Sequence, residues 1–295
     1  MIDKLEMLIA LAREEHFGRA AQSLGIAQPT LSAGIKQLET QLGVQLVWRG
    51  SRYGGLTPEG QSALDWARRI VGDARTLREE MRAVHRGLTG RLRIAAIPTA
   101  LTVAARLTAA FCTRHPKVRV SVLSRSSVEI LQMIENLEAD AGITYLDNEP
   151  LGRVVTVPLY REEYHLVCPE TSPLAQRELL EWADLAGEPL ALLTPDMQNR
   201  RIVNQMLFEA GVAPTVRVES NSTVVLISHV VDGGWSTILP RELAGFLVGG
   251  RALCSVPIRQ GRVPHAVGLI APWREPHTPV LEALIEAGKA LSSDS

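Results

Sequence analysis

Arg19-Ala20-Ala21-Gln22-Ser23-Leu24-Gly25-Ile26-Ala27-Gln28-Pro29-Thr30-Leu31-Ser32 is the stretch on which the reading of the fold turns. Its first six residues predict a short helix, and Gly25 stops it, because glycine accepts the left-handed conformation at a helix end. Pro29 opens the next helix in its first turn, where the missing N–H costs nothing. Leu31, Ile35, Leu38 and Leu42 give that helix an inner stripe, and Gly43 ends it. Upstream, Leu5, Leu8, Ile9 and Ala12 recur at helical spacing and predict a first helix with one apolar face. Two short helices about a glycine turn, the second with small polar residues outside, describe a helix-turn-helix. The outer face carries Gln28, Thr30, Ser32, Ala33 and Lys36, short hydrogen-bonding side chains that fit a major groove with a cation near phosphate. A helical hairpin with a solvated face fits the same residues.

Downstream, the segment from Val44 to Leu56 contains Trp48, Arg49, Arg52 and the Gly54-Gly55 pair. It reads as a hairpin displaying two arginines, either a wing on DNA or an ordinary surface hairpin. Thr57-Pro58-Glu59 is a helix start: a capping hydroxyl, a first-turn proline and an acid at the positive end of the dipole. The strongest periodicity comes next. Ala63, Ala67, Ile70, Ala74, Leu77, Met81, Val84 and Leu88 alternate spacings of four and three, a heptad seam. A helix from residue 58 to about 86 is on the order of 45 Å long at 1.5 Å per residue, more than packing inside a small domain requires. The seam therefore predicts self-pairing, the alternative being that it packs on its own chain.

Composition bounds the rest. At 295 residues the chain is long enough for two or three folding units, and 46% hydrophobic with 21% charged residues is the balance of a globular protein. No uncharged apolar run is long enough for a membrane span, and the opening residues lack a signal peptide's basic flank and apolar block, so a cytoplasmic protein is expected. The three cysteines, Cys112, Cys168 and Cys254, are far apart and fit free thiols. Residues 1–90 hold 12 basic and 10 acidic side chains, too small an excess to propose nucleic-acid binding on charge alone.

Gly87 and Gly90 end the long helix, and from Leu92 the pattern changes. Leu92–Ile97, Val118–Leu123 and Ala141–Thr144 read as strands separated by helices to about Arg114 and over Val128–Leu137, an order that implies parallel pairing. A second set comes after it: strands at His165–Cys168, Leu190–Leu193, Val216–Glu219 and Ser236–Leu239, with helices at Arg200–Glu209 and Thr223–Val231. Two α/β units joined by crossing strands enclose a cleft, and ligands sit there at strand carboxyl ends beside helix N-termini.

At this point the chain resembles the LysR-type bacterial transcriptional regulators along essentially its whole length. The resemblance is carried by Phe17-Gly18-Arg19-Ala20-Ala21-Gln22-Ser23-Leu24, by Gln28-Pro29-Thr30-Leu31-Ser32 with Ile35, Leu38, Glu39 and Leu42-Gly43-Val44, and by Leu56-Thr57-Pro58-Glu59-Gly60. Later blocks are Asp140-Ala141-Gly142-Ile143, Leu166-Val167-Cys168-Pro169, Ser172-Pro173-Leu174-Ala175, and Asp232-Gly233-Gly234 leading to Ile238-Leu239-Pro240. It implies a mixed α/β chain: a winged helix-turn-helix over 1–58, a dimerising linker helix over 59–89, and a two-lobed periplasmic-binding-protein-like (type 2) effector domain over 90–295. Lobe 1 would take about 90–161 and 266–295, lobe 2 about 162–265.

The resemblance also implies partners: double-stranded promoter DNA, RNA polymerase, further copies of the chain as dimer or tetramer, and a small-molecule effector, with no membrane, cofactor, metal or catalysis. DNA contact would fall to Arg19, Gln28, Pro29, Thr30, Ser32, Ala33, Lys36, Arg49 and Arg52. Self-pairing would fall to Ala63, Ala67, Ile70, Ala74, Leu77, Met81 and Val84. The effector cleft would be lined by Thr99, Ala100, Ser126, Ser127, Thr144, Thr194, Met197, Asn199 and Asn221, with Arg200 and Arg201 as further sources of charge. Hydroxyls, amides and helix N-termini predict a small carboxylate or other anion, although Thr and Ser at such places also serve as helix caps. Two departures stand out. Where the family often has an arginine directly after the serine of the reading helix this chain has Ala33 and then Gly34, and in the wing Trp48 replaces a phenylalanine as the expected packing aromatic. The seven histidines form no metal spacing, and no nucleophile-elbow or nucleotide-binding motif is present.

Overall fold

A computed structural model describes residues 1–48, 53–260 and 265–293 and divides the chain into two compact units, one built mainly on Met1–Gly87, the other on most of the chain from Leu88 onward.

In the first unit α1 (Ile2–Glu14), α2 (Phe17–Ser23) and α3 (Gln28–Leu42) pack around Leu8, Leu11, Ala20, Leu31, Ile35 and Leu38, all buried. The glycine stops form as the sequence predicts: Gly25 and Gly43 take φ of 68° and 71°. His16 caps α2, its Nδ1 accepting from the backbone N–H of Gly18 at 3.0 Å and of Arg19 at 3.3 Å. The inner stripe of α3 ends before its last expected member. Leu42, in the last turn, is 44% exposed and lies outside the packed layer. Gly34 has a packing reason to be a glycine inside a helix, since a Cβ there would stand 2.3 Å from Sδ of Met7 on α1.

After α3, Glu39 accepts from the backbone N–H of Leu46 at 2.8 Å and fixes the approach to a narrow hairpin in which Val47 bridges Leu56 and Trp48 N–H donates to Gly55 O at 3.0 Å. Trp48 is 54% exposed. The aromatic that packs is Tyr53, edge-on to Phe17 with centroids 6.3 Å apart, which corrects the role expected of Trp48. Helix α4 (Pro58–Arg86) starts as its sequence requires: Thr57 Oγ1 accepts from Gly60 N–H at 2.9 Å and donates to Gln45 O at 2.6 Å. Gly60 is essential to that junction, because a Cβ would fall 2.0 Å from the carbonyl oxygen of Leu46.

The second unit has two lobes. In one, β1 (Gly90–Ala96), β2 (Val118–Ser124), β3 (Ala141–Tyr145), β4 (Val154–Arg161) and β10 (Ala266–Pro272) form a sheet in the order β2-β1-β3-β10-β4. The first three strands are parallel, as their helical crossovers α5 (Leu101–Arg114) and α6 (Ser127–Glu135) require, while β10 runs antiparallel to both β3 and β4. Helix α10 (Pro279–Ser293) comes after β10. In the other lobe β5 (Tyr164–Pro169) lies between β8 (Thr237–Pro240) and β9 (Leu253–Pro257), and β6 (Pro189–Leu193) pairs in parallel with β7 (Thr215–Ser220). A bridge from Leu190 to Ser236 ties the two strand groups together. Helices α7 (Gln198–Glu209), α8 (Thr223–Gly233) and α9 (Arg241–Val248) complete it. The chain passes between lobes from β4 to β5, through Glu162 and Glu163, and returns into β10.

Candidate effector site and nucleic-acid interface

On the first unit, Gln28, Pro29, Thr30, Ser32, Ala33 and Lys36 are all exposed, along one side of α3 opposite its buried stripe. Arg19 is exposed but occupied: it donates to Glu14 O at 2.6 Å and lies 3.8 Å from the Glu14 carboxylate. Arg49 and Arg52 lie outside the described residues.

The seam of α4 divides into two parts. Ala67, with Leu64 and Val71 beside the seam, is buried in the helix-turn-helix core, and Ala63 packs at its edge. From there on the apolar positions lose their cover. Ile70, Leu77, Met81 and Val84 are 39%, 58%, 54% and 74% exposed, and Ala74 is half-buried or more. The start of the helix thus packs on its own chain, and the remainder presents an exposed apolar stripe among the described residues.

In the second unit the carboxyl ends of β1, β2 and β3 bring Thr99, Ser126, Ser127 and Thr144 to one edge of the sheet, and β6 and β7 bring Thr194 and Asn221 to the corresponding edge of the other lobe. The hydroxyls differ in what they do. Ser126 is a helix cap: its Oγ accepts from the Glu129 N–H at 3.3 Å, and its own N–H and Oγ both donate to Glu129 Oε2 at 2.8 Å. By contrast, the hydroxyl oxygens of Thr99, Ser127, Thr144 and Thr194 are buried without a hydrogen-bond partner, an arrangement that costs about 1–3 kcal/mol per group unless something fills it. Ala100 and Met197 are core residues, and Asn221 is exposed.

The centre of the site is a residue that the sequence pattern does not single out. Glu162, in the crossover, is 1% exposed, and its Oε2 accepts from the hydroxyls of Tyr145 at 2.6 Å and Tyr164 at 2.8 Å. Asn199, from the first turn of α7, donates to the Tyr145 hydroxyl at 3.1 Å, so that phenol joins the lobes. Burial raises the Glu162 carboxyl to about 7; the hydrogen bonds from the tyrosines oppose this, as does the Thr99 hydroxyl close by, which makes no hydrogen bond of normal geometry, and Asp147 adds to it. Burial also pushes both tyrosine hydroxyls well above the ordinary phenol range, so they remain donors. The same turn of α7 makes two further links to the first lobe: Gln198 donates to Asp147 O at 3.1 Å, and Arg201 pairs with Glu149 at 2.6 Å. Arg200 is 6% exposed and donates to Leu193 O at 2.6 Å and Glu219 at 2.8 Å. Both arginines expected to add charge to the cleft are thus engaged by protein acceptors. Two open hollows adjoin these residues, one of about 710 Å³ beside Arg200, Asn204 and Phe208, and one of about 750 Å³ bounded by Arg106, Tyr160, Glu162, Arg241 and Glu242. Among the described residues no three His, Cys, Asp or Glu side chains gather as a metal site, and no helix is long and apolar enough to cross a membrane.

A three-helix unit whose third helix turns a polar face to solvent, together with a long helix and a two-lobed cleft, defines a DNA-binding regulator with an effector-binding part. Residues 2–61 match the bacterial regulatory helix-turn-helix protein, lysR family, and residues 85–291 match the LysR substrate binding domain. The DNA-binding transcriptional dual regulator OxyR of Escherichia coli strain K12 is 32% identical over 240 residues, 81% of this chain and 78% of its own. The hydrogen peroxide-inducible genes activator of Escherichia coli O157:H7 matches to the same extent. The structure of a full-length OxyR variant from Pseudomonas aeruginosa superposes with a TM-score of 0.74 at 25% identity, covering 98% of this chain and 94% of that one. The chain belongs to the LysR family of transcriptional regulators.

Proposed function

We propose that this regulator binds promoter DNA through α3 as a self-paired molecule, a dimer or a tetramer, and that a small molecule held between the two lobes changes how it engages the promoter and RNA polymerase. The observation that carries the reading is the coexistence of an exposed polar face on α3 with an unpartnered apolar stripe from Ile70 to Val84 on α4. A pair of such units can read two half-sites, and the stripe is what would pair them. Direct readout belongs to Gln28, Thr30 and Ser32, with Lys36, Arg49 and Arg52 on phosphates. The unpartnered hydroxyls of Thr99, Ser127, Thr144 and Thr194 support an effector in the cleft. The linkage can be no stronger than the effector's differential affinity for the two arrangements. The protein acts in the cytoplasm and carries out no catalytic step.

The name of a relative suggests peroxide as the signal. A thiol-based response needs an accessible thiolate, which excludes Cys168, fully buried with its thiol pushed up to about 11 by that burial, while Cys112 and Cys254 are partly exposed. The unpartnered hydroxyls are what favour the cleft reading. Footprinting on the DNA upstream of the protein's own gene and its neighbour tests the proposal. Protection of two half-sites at moderate salt is expected, and an absence of sequence-specific protection counts against it.

A further inference from the structure

The cleft's hydrogen-bonding groups are unevenly satisfied, and the imbalance has a sign. On Glu162, Oε2 takes both tyrosine hydroxyls, while Oε1 is buried and has no partner. Thr99, 1% exposed with its hydroxyl unpartnered, lies close enough to act on the acidity of that carboxyl without a hydrogen bond of normal geometry. Because Asn199 donates to the Tyr145 hydroxyl, that hydroxyl's proton is directed at Glu162 and does not face a ligand. The unpaired position on the network is thus an acceptor, a carboxylate oxygen, with a hydroxyl beside it. Asp147 adds a second negative charge nearby, and Arg200 and Arg201 are both occupied by protein acceptors. An anion placed here would meet like charge, with the guanidinium groups of Arg200 and Arg201 already engaged.

We propose that the effector presents an N–H donor, as an amine, amidine or heterocyclic N–H, to Oε1 of Glu162, and is neutral or cationic rather than a small carboxylate. The inference rests on the reading of the cleft as the effector site and narrows the ligand that site takes. A charge-assisted N–H···O bond is the strong kind, and it relieves a buried acceptor that is otherwise unpaired. The groups that titrate around Glu162 are Tyr145 on β3, Tyr160 on β4, Tyr164 on β5, Asp147 after β3, and His265, whose Nδ1 lies 3.0 Å from Asp147 and whose ring meets Tyr145 edge-on. Burial keeps the three phenols protonated, so among the buried acids at this network Glu162 is the one that ionises near neutrality.

Isosteric probes test the sign directly: acetamidine against acetate and benzamidine against benzoate, titrated into the full-length chain by calorimetry. The amidine of each pair is expected to bind more tightly by about tenfold or more, ~1.4 kcal/mol. Its affinity in the parent chain should rise about tenfold from about pH 6 to about pH 8 as Glu162 ionises. Glu162→Gln should abolish the preference and flatten the pH dependence, whereas His265→Asn should leave both in place. Acids that bind as well as or better than the amidines, with Thr99→Ala weakening them, overturn the ligand class while leaving the cleft in place. Binding of either probe that neither Thr99→Ala nor Glu162→Gln alters overturns the cleft reading and the inference together.

Discussion

Replacing Glu162 by glutamine removes an acid that the fold holds in its neutral form over a pH range where the unfolded chain has lost the proton. The folded carboxyl titrates at about 7 against 4.5 for the ordinary group. Its contribution to stability is fully present below about 4.5 and is lost as pH rises towards 7, because the folded state binds the extra proton throughout that window. At about 1.36 kcal/mol per pH unit the loss amounts to about 3 kcal/mol. Glutamine keeps an acceptor for Tyr145 and Tyr164 and carries no charge at any pH, so the variant should lack this slope. Near pH 5 the two proteins should have similar stability. Near pH 8 the variant should be the more stable by up to about 3 kcal/mol, reduced by whatever the tyrosine bonds lose in charge assistance. For a domain of this size that is a few to about 10 °C in Tm. The assay is thermal unfolding of both proteins at constant ionic strength across pH 5 to 8. Parallel pH profiles would refute the reasoning, since they would mean that Glu162 is as acidic in the folded chain as in the unfolded one.

Other consequences are as direct. Gly60→Ala should destabilise the first unit by about 1–3 kcal/mol, seen in chemical denaturation, because the backbone carbonyl of Leu46 cannot move aside as a side-chain tip could. Leu77→Asp with Met81→Asp should raise the dimer dissociation constant by a hundredfold or more, at about 1.5–3 kcal/mol per buried side chain and two copies per interface; ultracentrifugation that finds the same association state removes the seam from the account. Gln28→Ala and Ser32→Ala should each cost about 1–3 kcal/mol on the operator and little on unrelated DNA, and an equal loss on both in gel shifts would reassign them to phosphate contact. Cys168 should be alkylated at neutral pH only under unfolding conditions, since its thiol is both buried and weakly acidic; rapid labelling of the native chain contradicts its placement.

Much of the fold is legible in the residues. The four-three spacing from Ala63 to Val84 gives α4, and the glycine stops give the helix-turn-helix. What spacing cannot say is which part of a seam the chain covers for itself. Leu64 and Val71, just off the heptad, turn the beginning of α4 towards its own core. The strands β4, β9 and β10 and the helices α9 and α10 do not stand out individually in the sequence; β10 gains its place by long-range antiparallel pairing with β3 and β4 that no local pattern encodes. Glu162 is hidden for a related reason. Tyr160-Arg161-Glu162-Glu163-Tyr164 carries three charges in a row and reads as a solvated crossing. Its one signal is the period of two that sets tyrosines on either side of Glu162, and only tertiary packing distinguishes it from Glu163.

The first turn of α7 holds the opposite lobe by consecutive residues, Gln198 to the Asp147 carbonyl and Asn199 to the Tyr145 phenol, with Arg201 to Glu149 close behind. These three attachments share one rigid backbone, so a displacement of the helix strains all three together. Sliding the lobes apart therefore meets its barrier at the outset and little resistance afterwards. A latch of that kind leaves each molecule either held or released, and the signal sets what fraction of the molecules is in each state.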